Sequence, residues 1–170
     1  PRGDAVVAFD DQAGRILAEL DKHGLADNTL VIYTSDNGPV LDDGYKDQAV
    51  EKLGDHKPSG PYRGGKYSVY EGGTRTPFIA SWKGKILPGV SDEMVCTIDI
   101  AASFAALTGT PIQENEFPDS FDVSESLLGK AGAKGRDHLI QQDNGSVGKF
   151  GYRAGQWKLV SLGSKTQKLE

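Results

Sequence analysis

An aspartate and an asparagine stand side by side at residues 34–38 (TSDNG) and carry oxygen atoms suited to binding a metal ion. Asp36 offers a carboxylate and Asn37 an amide carbonyl, and both are hard ligands of the kind that Ca²⁺ and Mg²⁺ prefer. Two ligands do not complete a site, and Asp-Asn-Gly is also a common turn sequence. Taken alone, the segment therefore predicts a turn, with part of a metal site as the alternative.

A second group of candidates lies in two glycine-rich stretches, residues 60–66 (GPYRGGK) and 71–77 (EGGTRTP). Glycines allow a backbone to approach a ligand closely, and the compact charge of Lys66 suits a tetrahedral oxyanion. We interpret Glu71 and Arg75 as an internal ion pair that shapes the loop. Composition by itself favours a glycine-rich loop with solvated charges, so these stretches need a context before they indicate a site.

His56 is the third candidate, because it stands in the sequence Asp-His-Lys-Pro at residues 55–58, just before the lysine. An imidazole at this place could reach the leaving group of a substrate. A solvated loop histidine is an equally good interpretation.

The elements around these residues predict an α/β fold. Asp4 can cap a helix that Gly24 would end, and its apolar positions follow the spacing of one buried helix face: Val6, Phe9, Ala13, Ile16, Leu17 and Leu20. The apolar run at residues 30–33 is typical of a strand covered on both faces in a mostly parallel sheet. Ligands bind beyond the carboxyl ends of such strands, which is where Asp36 and Asn37 fall.

The rest of the chain predicts a change of architecture towards the tail. Residues 39–67 read as a long functional loop, 76–82 as a strand and 98–107 as a helix. Short strand-like runs at 138–142, 149–153 and 156–160 predict an antiparallel meander. We divide the chain into three parts: residues 1–110, the later part of an α/β domain; 111–136, a connection; and 137–170, the start of an antiparallel subdomain. A strand at 30–33 needs parallel neighbours, so the sequence reads as a fragment of a larger fold.

Composition excludes several classes of function. The chain has 170 residues, a formal net charge of -5 and 37% hydrophobic residues, so it can build a core and has no basic footprint for nucleic acid. A single cysteine, Cys96, excludes an internal disulfide and a cysteine-cluster metal site. No apolar run approaches the roughly 20 residues that span a bilayer.

The order of the motifs resembles the second half of the formylglycine-dependent sulfatase family. The resemblance rests on the segment at 34–38, followed by Arg63-Gly-Gly-Lys66 and then by residues 71–77. The helix around Gly14 and Arg15, the turn at 24–29 and the hairpin at 153–159 are also similar to that family. Nearly the whole chain is covered, and the shared order makes coincidence improbable.

The resemblance implies an alkaline-phosphatase-like α/β fold, with mostly parallel sheet elements followed by a small antiparallel sheet. It also implies that residues 1–110 are the C-terminal part of the catalytic domain. It implies that Asp36 and Asn37 are ligands of calcium, in preference to magnesium, in a shell begun by N-terminal aspartates that are absent here. It also implies that Lys66 contacts the sulfate oxygens and stabilises charge in the transition state. Arg63, Glu71 and Arg75 would then shape the motif. His56 is a candidate substrate contact by its position ahead of the lysine, with a solvated loop histidine as the alternative.

The family makes its formylglycine nucleophile from a Ser/Cys-x-Pro-x-Arg sequence, and residues 59–63 (SGPYR) match that pattern. The family motif lies well upstream of the Asp-Asn pair and leads into a helix, whereas this match runs directly into the glycine-rich stretch that ends at Lys66. Ser59 is therefore not interpreted as the precursor of the formylglycine nucleophile. Cys96 has neither the proline nor the arginine and is interpreted as a packed thiol. We expect the formylglycine in an N-terminal part of the protein that this chain lacks.

These observations predict a fragment of a sulfuric ester hydrolase. The parent protein would act on a small-molecule or glycan sulfate ester with calcium and formylglycine, and the fragment alone would be inactive. A phosphate or phosphonate ester hydrolase of the same superfamily, and a non-catalytic module that binds sulfated glycans, are the alternatives. No nucleic-acid partner and no membrane segment are expected, and only the resemblance suggests a periplasmic, secreted or lumenal location.

Overall fold

The computed structural model describes residues 2–145, 148–161 and 167–169. Its elements, in chain order, are α1 (Arg2–Lys22), a short 3-10 turn (Ala26–Asn28), β1 (Val31–Thr34), α2 (Glu71–Thr74), β2 (Phe78–Ser81), α3 (Asp99–Thr108), α4 (Ser124–Leu127), β3 (His138–Gln142), β4 (Phe150–Ala154), β5 (Trp157–Ser161) and β6 (Gln167–Leu169). The chain divides into two compact units. The first is Pro1–Lys66 with Tyr70–Lys85, and the second is Tyr67–Val69 with Ile86–Glu170.

Helix α1 opens the first unit and is the long helix that the apolar spacing predicts. Asp4 lies within its first turn rather than at the cap, because the helix already begins at Arg2. It ends where predicted, since Gly24 adopts a φ of 67° that favours glycine. The predicted burial of its apolar face is wrong for the described residues, as Val6 is 68% exposed and Ile16 62% exposed. Phe9 makes one contact of this face, with its ring centroid 5.1 Å from that of Tyr33.

Strands β1 and β2 form the sheet of the first unit, and both were expected from the sequence. They pair antiparallel, with Val31 opposite Ser81 and Thr34 opposite Phe78. The expected parallel neighbours of β1 do not occur among the described residues, and every residue of β1 is half-buried instead of covered on both faces. The apolar run thus predicts the strand correctly. It does not predict which strand pairs with β1 or in which direction that neighbour runs.

The second unit contains the apolar core. The hydrophobic side chains that are buried in the described part of the chain all belong to it: Val69, Ala102, Val123, Leu127 and Val160. Helix α3 ends at Gly109, which has the left-handed φ of 66° expected for a glycine cap. The short helix α4 lies in the segment interpreted as a connection, and it carries the core residue Leu127.

The tail forms the antiparallel meander that the sequence predicts. Strands β3, β4, β5 and β6 follow one another in a single sheet, with Ile140 opposite Tyr152 and Tyr152 opposite Leu159. In the described stretches of the chain, no helix combines the length and apolarity needed to cross a membrane.

Candidate functional site

The Asp36–Asn37 turn follows β1 directly, as predicted. The Ser35 hydroxyl donates to the Asn37 carbonyl at 3.0 Å and the Asn37 side-chain amide donates to the Gly38 carbonyl at 3.0 Å, so the turn is stiffened locally. Asp36 is exposed, and among the described residues no hydrogen bond or ion pair engages its carboxylate. The turn therefore presents an oxygen-rich surface at the end of a strand.

Main-chain hydrogen bonds connect this turn to both glycine-rich stretches. The Gly38 N–H donates to the Gly73 carbonyl at 2.9 Å, and the Lys66 N–H donates to the Pro39 carbonyl at 2.9 Å. The Gly72 N–H in turn donates to the Arg63 carbonyl at 2.8 Å. The turn and the two glycine-rich stretches are thus joined into one framework, which places the Lys66 backbone next to the chain that follows Asn37.

Three glycines make this framework possible, and we call Gly38, Gly65 and Gly72 the glycine cradle. A Cβ on Gly38 would lie 1.8 Å from the Gly72 carbonyl oxygen, and a Cβ on Gly72 would lie 2.3 Å from the Gly64 carbonyl oxygen. A Cβ on Gly65 would lie 2.6 Å from the Pro39 carbonyl oxygen. Real side chains do not come this close, so the segments can pack backbone to backbone only because side chains are absent.

The lysine loop, residues 60–70, holds Lys66 half-buried. Glu71 and Arg75 lie as a long ion pair at 4.0 Å, consistent with a role in shaping the motif. Arg75 also stacks over the Tyr62 ring at 5.0 Å from its centroid, while Arg63 stacks over the Tyr70 ring at 3.9 Å. The sequence interpretation assigned no role to either tyrosine, although Tyr62 lies inside the first glycine-rich stretch and Tyr70 directly precedes the second.

His56 and Ser59 lie in the loop ahead of the lysine. The His56 side chain is exposed, and no described residue forms a hydrogen bond or ion pair with its ring. A substrate contact by His56 therefore stays a prediction. The Ser59 hydroxyl donates to the Gly64 carbonyl at 2.9 Å, a contact that tightens the lysine loop. Cys96 is half-buried, and its N–H donates to the Asp99 carboxylate at 2.9 Å in the second unit.

The donor chemistry of Asp36 and Asn37 fits a share of a calcium or magnesium shell. The Asp36 carboxylate and the Asn37 amide oxygen are both suitable ligands, but Ca²⁺ takes about six to eight oxygens and Mg²⁺ about six. The described residues hold no group of three or more His, Cys, Asp or Glu side chains that could bind a metal ion by themselves. The residues present would therefore contribute to a site that other ligands complete.

Sequence comparison identifies relatives that cover nearly the whole chain. The family model described as Sulfatase matches residues 2–110. An N-acetylgalactosamine-6-O-sulfatase of Bacteroides thetaiotaomicron is 46% identical over 94% of this chain and 30% of the relative. Human arylsulfatase A is 35% identical over 93% of this chain and 30% of its own length. The chain thus spans about 30% of the curated relatives that it matches.

Solved structures agree with the sequence matches. A sulfatase structure from Bacteroides thetaiotaomicron, described with the metabolism of multiple glycosaminoglycans, superposes with a TM-score of 0.88 at 46% identity and covers 94% of this chain and 33% of that one. A Pseudoalteromonas sulfatase superposes with a TM-score of 0.74 at 32% identity, covering 92% and 29%. The fold is therefore part of the alkaline-phosphatase-like α/β architecture of these neighbours, with a small antiparallel sheet near the carboxyl end. The order of motifs, the glycine cradle and these likenesses lead to one conclusion: the chain belongs to the sulfatase family.

Proposed function

We propose that this chain is part of an enzyme that hydrolyses sulfate monoesters. Asp36 and Asn37 contribute calcium ligands, and Lys66 contacts the oxygens of the sulfate group. The observation that carries the proposal is the pair of main-chain bonds from Gly38 to Gly73 and from Lys66 to Pro39, both 2.9 Å long. These bonds tie an oxygen-rich turn and a cationic loop into one framework, which is the arrangement that a divalent cation and an anionic group together require.

The role of Lys66 follows from its charge. A sulfate ester carries negative charge on its oxygens, and charge builds up on the departing oxygen as the ester bond breaks. An ammonium held in a fixed position stabilises that charge without reorganising during the reaction. A calcium ion held in part by Asp36 and Asn37 would supply further positive charge to the sulfate oxygens. The nucleophile, a formylglycine, would come from residues outside this chain, since the matching pattern at residues 59–63 runs directly into the lysine loop.

A sulfated glycan is the substrate class that we propose. The bacterial relative at 46% identity is named an N-acetylgalactosamine-6-O-sulfatase, whereas the human arylsulfatase A relative is 35% identical. A 6-O-sulfated N-acetylgalactosamine is therefore the first substrate to test in the full-length protein, with a chromogenic aryl sulfate as the comparison.

Replacing the lysine tests the assigned role directly. We expect Lys66→Met in the full-length protein to lower kcat by roughly 10²–10³, the range found when one donor to a developing anion is removed. Lys46→Met is the matched control, since Lys46 is an exposed lysine of the same long loop. Turnover that survives Lys66→Met at the level of the control would exclude the proposed role.

Metal content gives an independent test that needs no turnover. We expect Asp36→Ala to lower the calcium bound by the full-length protein, measured by titration calorimetry, while Asp55→Ala, an exposed loop aspartate, leaves binding unchanged. Equal calcium binding by both variants would contradict the assignment of Asp36.

The same assays separate the rival functions. Faster cleavage of an aryl phosphate than of the matched aryl sulfate would indicate a phosphate ester hydrolase. Affinity for sulfated sugar that survives chelation, without turnover, would indicate a binding module. Either outcome would replace the proposed activity.

A further inference from the structure

Two arginine–tyrosine stacks join the beginning of the lysine loop to its end. Arg63 lies over the Tyr70 ring at 3.9 Å, so a residue before Lys66 contacts one after it. Arg75, beyond helix α2, lies over the ring of Tyr62 at 5.0 Å. Both distances fall within the roughly 6 Å at which a cation and an aromatic face attract each other. The two stacks run in opposite directions along the chain and together form a clasp, which we call the tyrosine clasp.

Between Arg63 and Tyr70 in the sequence, the backbone makes a strained turn. Tyr67, the residue after Lys66, has a φ of 74°, a conformation that aromatic residues rarely adopt. Its side chain is 49% exposed, so burial of the ring does not account for the backbone angle. Such strain persists only where the surrounding structure holds it in place.

The positions on both sides of this turn are fixed. The Lys66 N–H is bonded to the Pro39 carbonyl at 2.9 Å, and Val69 is only 1% exposed. The bond from Gly72 to Arg63 at 2.8 Å closes the loop between the two stacks. The strained residue therefore stands between positions that are held by main-chain bonds and by burial.

We infer that Tyr62 and Tyr70 are positioning residues for Lys66, and that their arginine stacks hold the strained turn at Tyr67 in place. The effect on turnover rests on the proposed sulfatase activity, whereas the effect on the loop does not. Exposed stacks of this kind add little to global stability. Tyr62 is 38% exposed, so its loss should loosen the loop while the protein remains folded.

Hydrogen exchange of the full-length protein tests the structural part, because the Lys66 and Gly72 amides are both bonded within this framework. We expect peptides covering residues 63–72 to exchange faster in Tyr62→Leu and to keep their protection in Tyr62→Phe, which preserves the aromatic face. Tyr45→Leu is the control, since Tyr45 is 78% exposed in the preceding loop. Unchanged protection in Tyr62→Leu would overturn the inference.

Kinetics test the functional part. We expect Tyr62→Leu and Tyr70→Leu each to lower kcat about two- to fivefold with a smaller change in KM, with rescue by the phenylalanine variants. Loss of protection without loss of kcat would show that the clasp is structural only and would overturn the positioning role. If the unaltered protein has no sulfatase activity, the proposed function fails and the exchange result still decides the clasp.

A double variant tests the link to strain. Glycine adopts a φ of 74° without cost, so Tyr67→Gly removes the strain that the clasp opposes. We expect the double variant Tyr62→Leu with Tyr67→Gly to show a smaller fold loss of hydrogen-exchange protection than the product of the fold losses in the two single variants. Effects that simply multiply would show that the clasp and the strained turn are independent.

Discussion

The two units of the chain are stabilised by different kinds of contact. The second unit has the apolar core and a buried ion pair between Asp99 and Arg136. The first unit has no fully buried hydrophobic side chain among its described residues, and its buried positions are the glycines of the framework: Gly38, Gly72 and Gly73. Main-chain hydrogen bonds between the turn after β1 and the glycine-rich stretches hold these segments of the first unit together, and they do so without a buried apolar cluster among its described residues.

In the second unit, by contrast, the buried polar side chains of Asp99 and Arg136 are engaged in hydrogen bonds that hold the fold together. The Asp99 carboxylate accepts N–H groups of Cys96 and Phe121 as well as the Arg136 guanidinium. Arg136 also donates to the carbonyls of Asp119 and His138, each at 3.1 Å. This network joins helix α3, the following loop and strand β3, and it satisfies both charges completely enough to keep them inside the protein.

The largest expected effect comes from breaking this ion pair. Arg136→Met leaves the Asp99 carboxylate buried without its opposite charge, and we expect a loss of about 3–5 kcal/mol in the free energy of unfolding of the full-length protein, measured by urea denaturation. Lys83→Met is the control, because it removes exposed ion pairs with Asp21 and Asp27 and should have a far smaller effect. Equal losses in the two variants would mean that burial does not distinguish the pairs.

The double variant Asp99→Leu with Arg136→Met sharpens this test. Replacing both partners of a buried pair removes the uncompensated charge, so the double variant should be more stable than Arg136→Met alone. If the double variant is less stable than Arg136→Met alone, losing the hydrogen bonds from the Cys96 and Phe121 N–H groups to Asp99 costs more than leaving the Asp99 charge unpaired.

The next effect is expected in the glycine cradle. In Gly38→Ala the new Cβ would lie 1.8 Å from the Gly72 carbonyl oxygen, so the turn and helix α2 must separate. We expect overpacking to cost about 1–3 kcal/mol and to lower calcium affinity, both measured in the full-length protein. Gly14→Ala is the matched control, because a Cβ there meets nothing within 4 Å in helix α1 and should stabilise it by about 0.5–1 kcal/mol.

The difference between the units also explains what the sequence could predict. The motif around Asp36 and Lys66 could be recognised because segments that pack backbone to backbone need glycines, and these glycines are clustered in the sequence. Helix α1 and the tail strands were visible through their periodicity and turns. The Asp99–Arg136 pair was not, because its partners are 37 residues apart and neither stands in a recognisable pattern. The antiparallel pairing of β1 was missed for a related reason, since an apolar run indicates burial but not the direction of its neighbour.

The smallest expected effect concerns acid stability of the second unit. The Gly135 N–H donates to the Glu93 carboxylate, and this bond, followed by the contact with Lys134, lowers the pKa of Glu93 below its ordinary value of 4.5. In the unfolded chain the carboxyl has its ordinary pKa, so it takes up a proton first there as the pH falls. The stabilisation is therefore complete above pH 4.5 and is lost as the pH drops through the lower pKa of the folded state.

Glu93→Gln should remove this dependence, since an amide does not titrate. We expect the Tm of the unaltered protein to exceed that of Glu93→Gln near neutral pH, and the difference to shrink as the pH falls below 4.5. Asp92→Asn, an exposed neighbour, serves as the control and should not reproduce this convergence. A difference in Tm that stays constant from neutral to acid pH would mean that the charge on Glu93 contributes nothing. The backbone donor would then act only as a neutral hydrogen bond, as the main-chain bonds of the first unit do.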